Sequence, residues 1–182
     1  MALRCRDLRF DPLREEDLPI LFGWLQQPHV REFYQRDIPV WDEIRAQHVK
    51  ALAMASPTRR FVISVDRPIG FIQAWRIADS PGYTSPWGVS GGISLDLLIG
   101  EPEFVGRGWG RLILIRFLRE VAFPLFPRED LCWILHDHRN ERAMRASKAT
   151  GFRHSHDVTV HGSPHALLCL SKANAPSPIW PR

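Results

Sequence analysis

The chain has 182 residues, 45% hydrophobic and 24% charged, the balance of one ordinary globular domain with its own core. No run approaches the ~20 apolar residues that span a bilayer, and Met1-Ala2-Leu3-Arg4-Cys5-Arg6 does not open a secretory signal, so no membrane partner is expected. The net charge of +4 and pI of about 9.3 come from dispersed, Arg-rich positions with no basic cluster interleaved with aromatics. Mild basicity suits a phosphate-bearing small molecule as well as a nucleic acid, and it is the missing cluster that leaves no expectation of nucleic acid.

Leu3 to Phe10 alternates as a first strand, which Asp11-Pro12 ends. Glu15-Glu16-Asp17 places acids at a helix N-terminus, and Leu18, Leu21, Phe22 and Leu25 follow at helical spacing. A second helix covers Trp41 to Ala55, broken by Ser56-Pro57. Phe61 to Val65 and Ile69 to Ile77 read as strands joined through Asp66-Arg67-Pro68. A long loop rich in Pro, Gly and Ser, Asp79 to Gly92, precedes the strand Ile93 to Ile99. Arg111 to Phe123 continues as a buried helix, Leu131 to Leu135 as a short strand, and Glu141 to Thr150 as a helix stopped by Gly151. Val158 to Leu170 is a final strand or strand pair. The expected architecture is α/β (α+β), a single domain over residues 1–172 with a mixed central sheet and flanking helices, then a Pro-rich tail over 173–182.

The most informative stretch is Val105-Gly106-Arg107-Gly108-Trp109-Gly110-Arg111, set between a strand and a helix. Glycines let a backbone approach a bulky anion, and the first N–H groups of the next helix have no internal acceptors. A pyrophosphate there receives backbone hydrogen bonds at a positive helix end, with Arg107 and Arg111 adding charge. The stretch lacks the Gly-Lys-Ser/Thr ending of a P-loop, and no βαβ unit with a following acid supports a dinucleotide fold.

The loop resembles the acetyl-CoA pyrophosphate loop of the GCN5-related N-acetyltransferases, Gln/Arg-x-x-Gly-x-Gly/Ala, with Gly108 and Gly110 at the small positions and Val105 in place of Gln/Arg. Asn140-Glu141-Arg142-Ala143-Met144-Arg145, followed by Gly151-Phe152, is similar to the family's Asn-x-x-Ala-x-x…Gly-Phe segment, which implies contacts of Asn140, Ala143 and Arg145 with the cofactor. Within the family the chain looks like the aminoglycoside 6′-N-acetyltransferases. Leu13-Arg14-Glu15-Glu16-Asp17-Leu18, His29-Val30-Arg31-Glu32-Phe33-Tyr34, Ile69-Gly70-Phe71-Ile72-Gln73-Ala74-Trp75 and Gly92-Ile93-Ser94-Leu95-Asp96-Leu97-Leu98-Ile99-Gly100-Glu101-Pro102 carry that likeness.

The resemblance implies direct attack of a small-molecule amine on acetyl-CoA in a ternary complex, with no nucleophilic cysteine and no metal. Leu97, Leu98 and Ile99 would present backbone groups to the pantetheine arm. Asp96 falls on the acid proposed as general base, and Asp137 is a second carboxylate, or else a helix cap before Glu141. Ser147 stands where many relatives have a Tyr that protonates the thiolate, so no general acid is assigned. Trp24, Tyr34, Gln73, Tyr83 and Trp87 are candidates to line the acceptor site. The histidines at 136, 138, 154, 156 and 161 have alternating spacing, but no cysteine spacing accompanies them to make a zinc site.

The loop Pro81 to Gly91 and the segment Gly162 to Leu168 hold no acid, although sites for polycationic aminoglycosides are usually lined with carboxylates. The rival acceptor within the fold is an N-hydroxylysine-type side chain, as in the siderophore group, and the rival class is a non-catalytic acyl-CoA-binding module. Dispersed Cys5, Cys132 and Cys169 point to reduced thiols and a cytoplasmic monomer or homodimer.

Overall fold

The computed structural model describes residues 7–34, 37, 40–53 and 56–176. Its strands are hydrogen-bonded in the order β1-β2-β3-β4-β5-β7-β6. The β1–β2, β5–β7 and β6–β7 pairs are antiparallel and β4–β5 is parallel, which makes the sheet mixed. The chain forms two compact units, residues 1–73 with 97–105 and residues 74–96 with 106–182.

In the first unit, α1 (Leu18–Leu25) exists because Leu18, Leu21, Trp24 and Leu25 fall on one stripe, and all four are buried. Pro19 sits in its first turn, where a missing N–H costs no helical bond. The short α2 (Pro28–Arg31) and α3 (Trp41–Ala53) add Val30 and Ile44 to the same cluster, which packs on Val62, Phe71 and Leu98. Those last three come from β2 (Arg59–Ser64), β3 (Pro68–Arg76) and β4 (Ile93–Ile99). Burying each such side chain contributes about 1.5–3 kcal/mol. The first strand, β1 (Arg9–Pro12), starts later than the alternation predicts and runs through Asp11-Pro12, because Pro12 sits on an edge strand that needs no donor there. The part of that expectation on residues 3–6 lies outside the described residues, as does the end of the second helix at 54–55.

In the second unit, the expected loop after β3 is largely helical. A 3₁₀ turn at Ile77–Asp79, the short α4 (Pro81–Thr84) and a 3₁₀ turn at Ser85–Trp87 occupy it. Trp87 is 2% exposed and packs with Trp75, Ile77, Trp133, Val158 and Leu167. The helix after the glycine loop starts earlier than expected, as α5 (Trp109–Phe117), and passes through a π-helical turn at Leu118–Ala122 into α6 (Phe123–Leu125). β5 (Leu131–Asp137) runs two residues past its expected end, and α7 (Glu141–Thr150) keeps its predicted bounds. The final stretch is a hairpin of β6 (Arg153–Val160) and β7 (Ser163–Ser171). Its turn, His161-Gly162, has positive φ at both residues (49° and 76°), the geometry of a tight two-residue hairpin turn. The tail expected from 173 begins as a 3₁₀ turn at Lys172–Asn174, and Arg119 donates to the carbonyl of Pro176 at 3.4 Å.

Candidate active site

In the second unit, the parallel β4–β5 pairing holds at two positions, Ile93 with Cys132 and Ser94 with Trp133. Leu95 and Asp96 follow in β4 beyond those two positions, and β5 is paired to β7 along its whole length. Asp96 is half-buried at this point.

The glycine loop then turns the chain into α5. Gly106 (φ 76°) and Gly108 (φ 86°) both adopt the left-handed conformation, and Gly108 is the helix N-cap. A Cβ added at either would meet nothing within 4 Å, so backbone conformation and not crowding requires glycine there. The first helical bond, Leu112 N to Gly108 O at 3.3 Å, leaves the N–H groups of Gly110 and Arg111 without intrahelical acceptors. Gly110 has a different reason: its Cβ position lies 3.4 Å from Ala146 Cβ of α7, so its smallness sets the α5–α7 approach. Arg107 and Arg111 are exposed beside the helix end. Open space, left-handed glycines, free N–H groups and two guanidiniums together fit a pyrophosphate.

Residues Leu97, Leu98 and Ile99 close β4 in the first unit. Leu98 O lies 2.3 Å from where a Gly70 Cβ would be, so β3 and β4 meet there by virtue of that glycine. Gly100 N and Glu101 N both donate to Ile69 O, at 2.9 and 3.2 Å. His29 Nε2, from α2, lies 2.9 Å from Ile99 O. Nothing in the sequence pattern distinguished His29 from the other residues of its segment.

Asp137 is buried at the end of β5, 4% exposed at the side chain. Its Oδ1 accepts from Arg139 N (2.9 Å) and Nε (3.0 Å), and its Oδ2 from Arg139 Nη2 (2.8 Å). Those hydrogen bonds from Arg139 hold its carboxyl well below the usual carboxylate range, against the opposing effect of burial. Asp137 is thus a weak proton acceptor. It is not the cap of α7 either: Asn140 Oδ1 takes that role, accepting from Ala143 N at 3.1 Å. The cap gives Asn140 a structural role independent of any cofactor contact. Arg145 is exposed and pairs with Glu141.

Ser147 is fully buried, and its Oγ lies 2.8 Å from His136 Nε2. Burial first, and the charge of His165 second, push the His136 imidazole down to about 4, so it is neutral near pH 7. No signal in the sequence pairs these two residues, eleven positions apart on β5 and α7.

The aromatic candidates divide. Trp24 and Trp87 do not wall a cleft: at 3% and 2% exposure they fill the two cores, and Trp24 Nε1 is bonded to Glu101 Oε1 at 2.9 Å. Sequence spacing alone does not separate the rings of a core stripe from the rings of a site. Tyr34 and Gln73 are half-buried in the first unit, and the side chain of Tyr83 lies outside the described ones. Among the described residues no group of three His, Cys, Asp or Glu is placed to hold a metal. His138 and His154 both direct Nε2 at Asp157 Oδ1, at 3.2 and 2.7 Å. Burial raises the thiols of Cys132 and Cys169, which keeps both in the unreactive protonated form.

The left-handed glycines and the N-terminus of α5 carry the features that suit a bound pyrophosphate. The chain belongs to the acetyltransferase (GNAT) domain family, whose model matches residues 14–160. It is 27% identical over 166 residues to the aminoglycoside N(6′)-acetyltransferase type 1 proteins of Klebsiella pneumoniae and Serratia marcescens, covering 88% of this chain and 81% of each of theirs. A solved structure of AAC(6′)-Ib with paromomycin and acetyl-CoA superposes with a TM-score of 0.82 at 21% identity, covering 92% of this chain and 95% of that one. The spermidine N-acetyltransferase of Vibrio cholerae with CoA and spermine superposes with a TM-score of 0.74 at 15% identity, over 93% and 98% of the two chains. No helix among the described residues is long and apolar enough to cross a membrane.

Proposed function

We propose that this protein is an acetyl-CoA-dependent N-acetyltransferase acting on a primary amine of a small molecule, with the 6′-amine of an aminoglycoside as the leading acceptor. The observation that carries the reading is the Gly106–Arg111 turn, where two left-handed glycines open the backbone in front of α5. Backbone N–H groups of Gly110 and Arg111 hold the pyrophosphate, and the Arg107 and Arg111 side chains add screening charge. Leu97, Leu98 and Ile99 offer strand-edge backbone groups to the pantetheine arm, and one such N–H steadies the oxyanion as the amine nitrogen adds to the thioester carbonyl.

Asp96 accepts the proton that the amine must lose, directly or through one water. Collapse then breaks the C–S bond, and the leaving thiolate takes its proton from water. Asp137, locked on Arg139, positions the start of α7 and is not the base. The protonated, buried Cys132 and the half-buried Cys169 agree with direct transfer and no acyl-enzyme. Reduced thiols also support a cytoplasmic setting. The chain acts as a monomer or homodimer, with the amine as its partner and neither nucleic acid nor membrane involved.

A second acceptor, an amine of the N-hydroxylysine type, is favoured by one observation: residues 81–91 and 162–168 carry no acid to hold a polycation. Thiol release from acetyl-CoA over kanamycin, tobramycin, N6-hydroxylysine and polyamines tests both readings. Turnover with an aminoglycoside that falls about 10²- to 10⁴-fold in Asp96→Asn supports the first reading and the base together. Turnover on hydroxylysine alone moves the acceptor to the second class, and binding of acetyl-CoA without turnover on any amine rejects catalysis.

A further inference from the structure

A primary amine of ordinary basicity is almost wholly ammonium near pH 7. Its nitrogen must shed two protons on the way to an amide, one to become a nucleophile and one after the C–N bond forms. Asp96 takes one of them. A second acceptor stands on β7, at His165.

The strand register places it. Ser94 of β4 lies beside Trp133 of β5, Trp133 opposes Cys169 of β7, and Asp137 opposes His165. Alternate residues of a strand share a face, so Ser94 and Asp96, Trp133 and Asp137, and Cys169 and His165 all belong to one face of the sheet. His136 falls on the other face, where its Nε2 meets Ser147 of α7. Asp96, Asp137 and His165 lie within the second unit and toward the same end of the sheet, where β4 and β5 finish and β7 begins.

The His165 ring is preset to accept a proton. Its Nδ1 lies 2.9 Å from Ser163 O, and a carbonyl only accepts, so in the neutral ring Nδ1 carries the hydrogen and Nε2 keeps the lone pair. The residue is half-buried, and no hydrogen bond to a described residue occupies Nε2. Directly opposed residues of antiparallel strands have Cβ atoms about 4.5–5.5 Å apart, so Asp137 stands beside the ring. Its carboxylate, held ionised chiefly by the hydrogen bonds from Arg139, also feels the charge of His165. It meets the positive charge that the ring acquires with a second proton, and Arg139 offsets part of that attraction. From β6 the ring is faced by Val158, which brings no charge, while the neighbouring Asp157 is turned to His138 and His154. His136, on the opposite face, is neutral near pH 7.

We propose that His165 is a catalytic residue of the acceptor site, whose Nε2 takes the first proton and turns the bound ammonium into the nucleophilic amine. The nitrogen then adds to the thioester carbonyl, Asp96 takes the second proton, the C–S bond breaks and the thiolate is protonated from water. Two protons leave the nitrogen and one reaches the sulfur, so each turnover releases one proton net, and the imidazolium returns its own to solvent. This role rests on the acetyl-transfer reading.

The test is steady-state acetylation of kanamycin, tobramycin, N6-hydroxylysine and spermidine between about pH 6 and 9.5, in the wild type and in His165→Asn. The Asn amide can keep the bond to Ser163 O and is no base. The expected kcat/KM falls about 10²-fold at pH 7, and the deficit narrows as pH rises and the solvent itself supplies free amine. His165→Gln should show the same narrowing deficit, and calorimetric acetyl-CoA binding equal to wild type shows that both variants fold. A deficit that is flat across pH, or no deficit, overturns the role of His165 and leaves the acetyl-transfer reading standing. Wild-type protein that binds acetyl-CoA and turns over none of these amines overturns both.

Discussion

The corner at Gly100 and the loop at Gly106–Gly110 lie six residues apart, and both are glycine-dependent for opposite reasons. At Gly100 a Cβ would sit 2.0–2.3 Å from the Trp24 ring, so the position is set by packing. At Gly106 and Gly108 a Cβ would meet nothing, so the position is set by backbone conformation and the space is left open. Trp24, Glu101 and Ile69 hold the corner through hydrogen bonds that are satisfied within the fold. The loop instead leads into α5 through Gly108, an N-cap that carries no side-chain cap. A glycine in a crowded place answers to packing, and a glycine with positive φ facing open space answers to backbone conformation.

The largest effect expected from this contrast is at the corner. Gly100→Ala should destabilise the protein by about 3 kcal/mol, because the ring it strikes is 3% exposed, tethered to Glu101 and unable to swing away. Urea denaturation reads this directly, and a loss under about 1 kcal/mol would mean that the corner relaxes easily. Gly108→Ala should lower stability by only about 1–2 kcal/mol, the strain of a left-handed alanine. Its larger signature is acetyl-CoA affinity, expected to drop about tenfold or more as the helix end is displaced. Calorimetric titration that finds affinity intact would make the loop a structural turn like the corner, and the contrast would collapse.

These two stretches were not equally legible in the sequence. The loop was, because glycines set between a strand and a helical stripe mark a turn that needs left-handed backbone, and β4 and α7 fell on their predicted bounds. The corner was not: Gly100 and Trp24 are 76 positions apart, and no local pattern reports a long-range contact. The same limit hid the His136–Ser147 and His29–Ile99 contacts. It also turned Trp24 and Trp87 into supposed cleft walls. Asp137 was hard to place for a different reason. A carboxylate next to a helix start reads as a cap or a base, and only the structure shows Arg139 folding back over it while Asn140 takes the cap. The His161-Gly162 hairpin falls within the strand or strand pair expected over Val158 to Leu170, but its first strand begins earlier, at Arg153.

Trp24→Phe sharpens the contrast at smaller amplitude. It keeps an aromatic ring near Gly100 but removes the Nε1 donor to Glu101 and part of the buried ring volume, so the expected loss is about 1–2 kcal/mol, with acetyl-CoA affinity unchanged. A drop in affinity would show that the corner's order is transmitted to the cofactor strand through Glu101, and would make it part of the binding machinery.

Arg67→Ala should change the least. Arg67 pairs with Glu101 at 3.4 Å and with Glu103, and its guanidinium lies 5.8 Å from the Phe104 ring centroid. Three contacts look substantial, but the Arg67 side chain is 49% exposed and exchanges its partners for water readily. Exposed ion pairs contribute between nothing and about 1 kcal/mol, and salt screens them. The expected loss is about 0.5 kcal/mol in dilute buffer, vanishing in molar salt. A loss that exceeds the Trp24→Phe effect and persists in salt would place the corner's stability in its charges, and Gly100 would then be crowded as a consequence of that ion-pair network instead of its cause.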